Sequence, residues 1–218
     1  MIEIENVEVY GWKAAIRGMR NPMNSWAKSD SYPDRYDFGG GKTDGLTLGK
    51  NDFELMERLA KGGASHAKYR RMITVSLDVV APLYWWKEYD TYKVGTVANS
   101  CSTMHKIHEK EFSVDDFSHE HLLTGSMFQL HRVVDLLNEA REAFLGCGDE
   151  CRELKKAYWW QMIQLLPSSY NQRRTLLLNY EVLANMYRDR KAHKLDEWRE
   201  FCRWIKTLPY SELITGKE

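Results

Sequence analysis

The chain has 218 residues, 43% of them hydrophobic and 28% charged, which suits one globular domain spanning residues 1–218 and excludes an intrinsically disordered chain. Lys plus Arg and Asp plus Glu each number 31, so no overall basic excess draws the protein to a nucleic-acid backbone. The opening MIEIENVEVY lacks the charged-then-apolar pattern of a signal peptide, and no apolar run approaches the roughly 20 residues of a membrane span, so a soluble, cytoplasmic protein is expected.

In chain order, the imperfect alternation of Ile2, Ile4, Val7 and Val9 predicts an edge strand over 2–10, and a short helix follows from Trp12 to Met19. Asn21-Pro22 ends that helix. Residues 21–50, with the run Gly39-Gly40-Gly41, read as a long loop of the kind that serves as a lid, ordered by ligand. Asn51 or Asp52 can cap a helix whose apolar positions are Phe53, Leu55, Met56 and Leu59 and whose stop is Gly62-Gly63. Ile73, Val75, Leu77 and Val79 alternate with Met72, Thr74, Ser76 and Asp78, the signature of a strand with one buried face. Pro82 opens a helix through Tyr89, since proline suits a first turn. Residues 93–105 read as irregular.

Two long helices are predicted over 125–145 and 150–166, the first with Phe128, Leu130, Val133, Leu136, Leu137 and Ala140 at helical spacing. A short strand over 174–178 leads into helices over 180–190 and 196–206. Interleaved strands and helices, with helices in the majority, give an α+β chain with helices packed on a small mixed or antiparallel sheet.

Eight Trp and twelve Tyr concentrate in Tyr84-Trp85-Trp86, Tyr89, Tyr92 and Tyr158-Trp159-Trp160. Such rings suit a core, an oligomer interface or a stacking surface. Cys101, Cys147, Cys151 and Cys202 are too few and too irregular for a disulfide framework and read as reduced thiols. His105-x-x-His108 and His119-x-His121 lack the Cys or carboxylate partners that would complete a four-ligand set, so no metal site is expected.

The stretch from Leu166 to Arg199 resembles the C-terminal region of flavin-dependent thymidylate synthases. That family reads L-P, eleven residues, N, five residues, N, four residues, R; here Leu166-Pro167 is followed at the same spacing by Asn179, Asn185 and Arg190. His193 to Arg199 then stands one residue closer to Arg190 than the family's H-A-Q-x-E-I-R. Upstream, Thr91 to His105 falls on the family's R-H-R-x-x-S-x-N-x-x-S-x-R-Y, with one extra residue at Val97-Ala98. Asn99 and Ser102 match the family Asn and Ser. Thr91, Tyr92 and Lys93 stand where Arg, His and Arg are expected, Thr96 replaces a serine, and Met104-His105 lie opposite Arg-Tyr.

The resemblance implies that fold, an FAD cofactor and a pyrimidine deoxynucleotide such as dUMP, with NADPH and a folate as co-reactants if the chain is an active transferase. It places Asn179, Asn185, Tyr92 and Lys93 toward the cofactor, and Arg190, Glu88, Asn99 and Ser102 toward the nucleotide. It also implies a homotetramer. The assignment is physically sensible, because amide side chains offer donors and acceptors to a heterocycle edge while a guanidinium pairs with phosphate as a fork. Asn179 and Arg190 lie about 20° apart on a 100°-per-residue wheel and share a helix face. Asn179 is equally a natural helix N-cap, and Arg190 a natural last-turn residue favoured by the helix dipole. Glu88 replaces a family glutamine and would repel phosphate, and Arg70 and Arg71 are candidate replacements for the missing cations. Two functions stay open: a flavin-dependent transferase, and a protein that binds a nucleotide without turnover.

Overall fold

A computed structural model of the chain describes residues 2–33 and 45–216. Its elements in chain order are β1 (Glu3–Tyr10), α1 (Trp12–Arg20), β2 (Tyr32–Pro33), β3 (Leu46–Thr47), α2 (Lys50–Lys61), β4 (Thr74–Pro82), α3 (Leu83–Tyr89), β5 (Val97–Ser100), α4 (Thr124–Gly146), α5 (Arg152–Leu165), β6 (Asn171–Asn179), α6 (Tyr180–Arg190), α7 (Asp196–Ile205) and α8 (Glu212–Thr215). Short 3-10 turns occupy Asn21–Met23, Trp26–Lys28 and Ala67–Arg71 among others. The main sheet has the order β1-β4-β6-β5, and β2 pairs antiparallel with β3. The class is mixed helix and antiparallel sheet, as the alternation of elements predicts.

The chain forms two compact units. One holds Val80–Tyr89 and Ser100–Arg174; the other holds Ile2–Val79, Asp90–Asn99 and the chain from Thr175 onward. In the first, α4 and α5 enclose a core of Ile107, Phe112, Phe117, Leu130, Leu137 and Met162. In the second, Ile73 just before β4 and Val75, Leu77 and Val79 within it are buried, the set that the sequence periodicity selects. On the opposite face Asp78 accepts hydrogen bonds from Asn6 (2.8 Å) and Thr175 (2.6 Å), which ties together side chains of β1, β4 and β6.

Several expectations are corrected. Pro82 is the last residue of β4 rather than the first of a helix, and the strand end tolerates its missing N–H. The free amides of α3 are met instead by loop carbonyls, Leu83 N–H by Tyr170 (3.0 Å) and Tyr84 N–H by Ser168 (2.9 Å). Residues 97–100 form β5 although all four side chains are exposed; with no buried face, the sequence carries no alternation to reveal it. Of the readings open for the aromatic clusters, Trp85 and Trp86 take the core: they are 0% and 1% exposed and pack edge-on at 4.8 Å. The Gly39-Gly40-Gly41 run lies outside the described residues.

The cap of α2 is also different. Neither Asn51 nor Asp52 caps it. Gly49 is the N-cap, and the Asp30 carboxylate accepts from the amides of Asn51 (2.8 Å) and Asp52 (3.1 Å). A Cβ at position 49 would sit 2.3 Å from Asp30 Oδ1, so glycine makes this approach feasible. Asp52 instead turns inward. Its carboxylate accepts from Arg20 Nε (2.6 Å), Ser29 Oγ (2.7 Å), Ser31 Oγ (2.7 Å) and the amides of Asp30 and Ser31. Both members of the ion pair are buried, Asp52 completely.

Burial pushes the Asp52 carboxyl up, but the hydrogen bonds from Ser31, Ser29 and Arg20 outweigh it and hold the group below its ordinary value. Asp52→Ala, which leaves Arg20 buried without its carboxylate, should lower the unfolding free energy by about 3–5 kcal/mol in a denaturant titration at neutral pH. A folded-state pKa below the unfolded one means that this contribution is complete above the unfolded carboxylate value and is lost as pH falls through the folded value. The parent and variant stabilities should therefore converge in acid, and a gap that persisted there would contradict the ionic origin.

Candidate functional site

The end of β6 is where the site begins. Asn179 takes an extended backbone, φ −138 and ψ 166, and its Oδ1 accepts from the amides of Glu181 (3.1 Å) and Val182 (3.0 Å). The capping reading is thereby met. The other half of the amide reaches the turn after α3, where Asn179 Nδ2 lies 3.4 Å from the Gly95 carbonyl oxygen. Gly95 has φ +77, and a Cβ there would come within 2.8 Å of Asn179 Nδ2 and 3.3 Å of Val182 Cγ2. Within the same turn Thr96 Oγ1 donates to the Tyr92 carbonyl at 2.6 Å.

The far end of α6 meets that same turn. Arg190 Nε donates to the Tyr92 hydroxyl at 3.0 Å, and the guanidinium carbon lies 5.6 Å from the Tyr92 ring centre and 5.0 Å from that of Trp198 on α7. The two rings are 6.0 Å apart and steeply inclined. Trp198 is fully buried and also faces His193 and Phe201. Each ring contact contributes roughly 0.5–2 kcal/mol and fixes the plane of the fork. The face shared by Asn179 and Arg190 is thus the face that carries the 92–96 turn.

Arg199, the end of the tail motif, holds the entry to α7: it donates to the carbonyls of His193 (3.2 Å) and Lys194 (3.4 Å) and pairs with Asp196. Trp198, which forms the platform for Arg190, escapes the sequence reading because its role depends on the turn between α6 and α7.

The remaining predicted residues are placed as follows. Lys93 is exposed in the 92–96 turn, and Asn185 is half-buried on α6. Asn99 is exposed on β5 in the same unit. Glu88, half-buried on α3, and Ser102 belong to the other unit. The Ser102 hydroxyl accepts from the amides of Met104 (3.2 Å) and His105 (2.9 Å) and so shapes its own turn. Arg70 is not a loose replacement cation: it lies 3.7 Å from the Glu181 carboxylate.

In the first unit the sequence reading missed a second ring-held cation. Arg174 lies 4.2 Å above the Trp86 ring, and its Nε donates to Gln172 Oε1 at 3.0 Å. Gln172 in turn donates to the Cys101 carbonyl (2.8 Å) and accepts from Trp86 Nε1 through its own carbonyl (3.0 Å). A cavity of about 1100 Å³ in the second unit contains none of the eight predicted residues.

These elements have the fold of the flavin-dependent thymidylate synthases. The chain is similar to a crystal structure of the flavin-dependent thymidylate synthase of Helicobacter pylori complexed with FAD and dUMP, with a TM-score of 0.65 and 17% identity over 98% of each chain. A further structure of the Helicobacter pylori enzyme with FAD and dUMP matches with a TM-score of 0.63 and 17% identity, over 99% of this chain and 98% of that one. No family model matches the sequence, and no curated protein matches it.

The turn geometry has a direct check. Gly95→Ala forces a side chain into the left-handed region and against Asn179, and should destabilise the protein by about 1–2 kcal/mol in equilibrium unfolding. An unchanged unfolding midpoint would mean that the 92–96 turn does not rest on Asn179.

Proposed function

We propose that the protein binds a pyrimidine deoxynucleotide, with Arg190 as the contact to its phosphate. The observation that carries this reading is the seating of the Arg190 guanidinium against Trp198 and Tyr92, with its Nε on the Tyr92 hydroxyl. A fork oriented before ligand arrives loses less freedom on binding, and its planar shape suits two phosphate oxygens. The likeness in fold to structures containing dUMP supports the ligand class. Lys93 supplies a second cation on the same turn, and Asn99, in the same unit, is proposed as a further contact to the nucleotide.

An FAD cofactor suits the donor set. Asn179 Nδ2 makes only a long 3.4 Å contact, so an amide hydrogen remains for a heterocycle edge; Asn185 offers another amide, and Lys93 suits a pyrophosphate. A bound flavin would supply hydride chemistry at the pyrimidine, with NADPH and a folate as co-reactants of an active enzyme.

Binding without turnover has its own support. Thr91 and Tyr92 stand where the family carries cations, and Tyr92 and Thr96 are engaged in closing the turn and orienting Arg190. The two readings part on colour: a purified protein with a flavin absorbance that bleaches on reduction favours the enzyme.

We also propose a homo-oligomer, a tetramer by the resemblance. Phe128, Leu136 and Leu145 on α4 and Leu154, Trp160 and Leu165 on α5 remain exposed, which is a large apolar area for an isolated chain. Light scattering at micromolar concentration should give a mass well above 25.6 kDa, and a monomer would remove this proposal.

Arg190→Ala should weaken nucleotide binding by about 1.5–3 kcal/mol, as expected for a hydrogen bond to a charged group, with dUMP as the titrant in calorimetry at fixed salt. Arg190→Lys should recover only part of the loss, because an ammonium cannot form the planar fork. Equal dUMP affinity in the alanine variant and the parent would refute the assignment of the phosphate contact.

A further inference from the structure

A smaller hollow of about 320 Å³ lies between α1, the 3-10 turn at Trp26–Lys28 and β3. Its floor is apolar, made by the buried side chains of Ile16 and Leu46. Trp26 forms one wall and is 51% exposed. Its ring is held in place, because Nε1 donates to Asn21 Oδ1 at 2.9 Å and Arg20 Nη1 donates to the Ser25 carbonyl at 3.2 Å, which ties down the chain just before it. An indole left half in solvent with its position set is a stacking surface for a second ring.

The charges around this hollow do not balance. Helix α1 carries Lys13, Arg17 and Arg20 and no carboxylate. Arg20 is met by the buried Asp52, whose other oxygen accepts from the Ser29 and Ser31 hydroxyls, so the part of the wall formed by these groups is already satisfied. Lys13 and Arg17 also line the hollow and are exposed, and among the described residues neither takes part in an ion pair. Their spacing of four residues puts two like charges on one helix face, a repulsion that an anion placed between them relieves. A carboxylate offers two coplanar oxygens that match the guanidinium fork and leave room for the ammonium.

We propose that this hollow is a binding site for a small aromatic acid, with its carboxylate between Lys13 and Arg17 and its ring between Trp26 and the floor of Ile16 and Leu46. The volume lies at the lower end of the range for small-molecule sites and suits a single ring with a short acidic arm. The site shares no residue with the Arg190 cluster and does not depend on the function proposed for that cluster. A neutral ring forgoes the two cations, and a carboxylate without a ring forgoes the indole and the apolar floor, so only a molecule with both parts uses the whole site.

The test is calorimetric titration of the full chain with hydrocinnamate, with hydrocinnamyl alcohol lacking the charge and propionate lacking the ring as controls. Hydrocinnamate should bind at least about tenfold more tightly than either control, since loss of one charge-assisted contact is on the order of tenfold in affinity. The double variant Lys13→Gln with Arg17→Gln should weaken hydrocinnamate about tenfold or more without lowering the unfolding midpoint, because both side chains are exposed and their mutual repulsion is removed. Trp26→Phe should retain binding within about threefold, whereas Trp26→Ala should lose about tenfold. Arg190→Ala should leave it within about twofold. Absence of hydrocinnamate binding, binding no tighter than that of either control, or an unaffected double variant would overturn the proposal. Loss of hydrocinnamate binding in Arg190→Ala with the double variant unaffected would assign the probe to the other cluster and likewise overturn it.

Discussion

The side-chain oxygen of Asn179 accepts the first free amides of α6, and that cap decides where β6 stops, how the helix leaves the strand and where Arg190 emerges at its far end. The same amide touches Gly95, so the turn over residues 92–96 is drawn to the start of the helix while Tyr92 is drawn to its end. A helix of eleven residues spans roughly 16 Å, and a single short turn touches both of its ends. The functional proposal for Arg190 depends on this junction because the cap fixes where α6 starts and the Tyr92 hydroxyl meets Arg190 at its far end.

Two kinds of neighbour hold arginines in the protein, carboxylates and aromatic rings. Arg20 and Arg70 face the carboxylates of Asp52 and Glu181, which cancel their charge. Arg174 and Arg190 rest on the rings of Trp86 and Trp198, and take an additional hydrogen bond from their Nε to a neutral oxygen. A ring and a phenol or amide oxygen fix the plane in which each of these guanidinium groups presents its N–H donors. The high aromatic content acquires a meaning in this light. Part of it is core, as with the fully buried Trp12 and Trp85, and part of it is scaffold for cations.

Departures from the family motif at Thr91, Tyr92 and Thr96 are likewise organised. Thr96 closes the turn on the Tyr92 carbonyl, and the Tyr92 hydroxyl takes the Arg190 Nε, so two of the three replacements make specific contacts. A phenol at that position replaces a cation by a group that orients a cation.

Much of the architecture is legible in local pattern. The alternation through Val75, Leu77 and Val79 marks β4 and its buried face, the periodicity of Leu130 and Leu137 marks α4, and the spacing of Asn179, Asn185 and Arg190 behind Leu166-Pro167 points to the fold and to the cluster around α6. These features are readable because burial repeats with the period of the backbone. What lacked such a period was decided only in three dimensions. Val97–Ser100 becomes a strand through backbone pairing alone, the cap of α2 comes from Asp30 across a long separation in sequence, and Asp52 turns from an expected cap into a buried ion. Trp198 under Arg190 belongs to the same group, because contacts between residues distant in the chain leave no mark on local composition and are selected by packing and charge neutralisation in the folded protein.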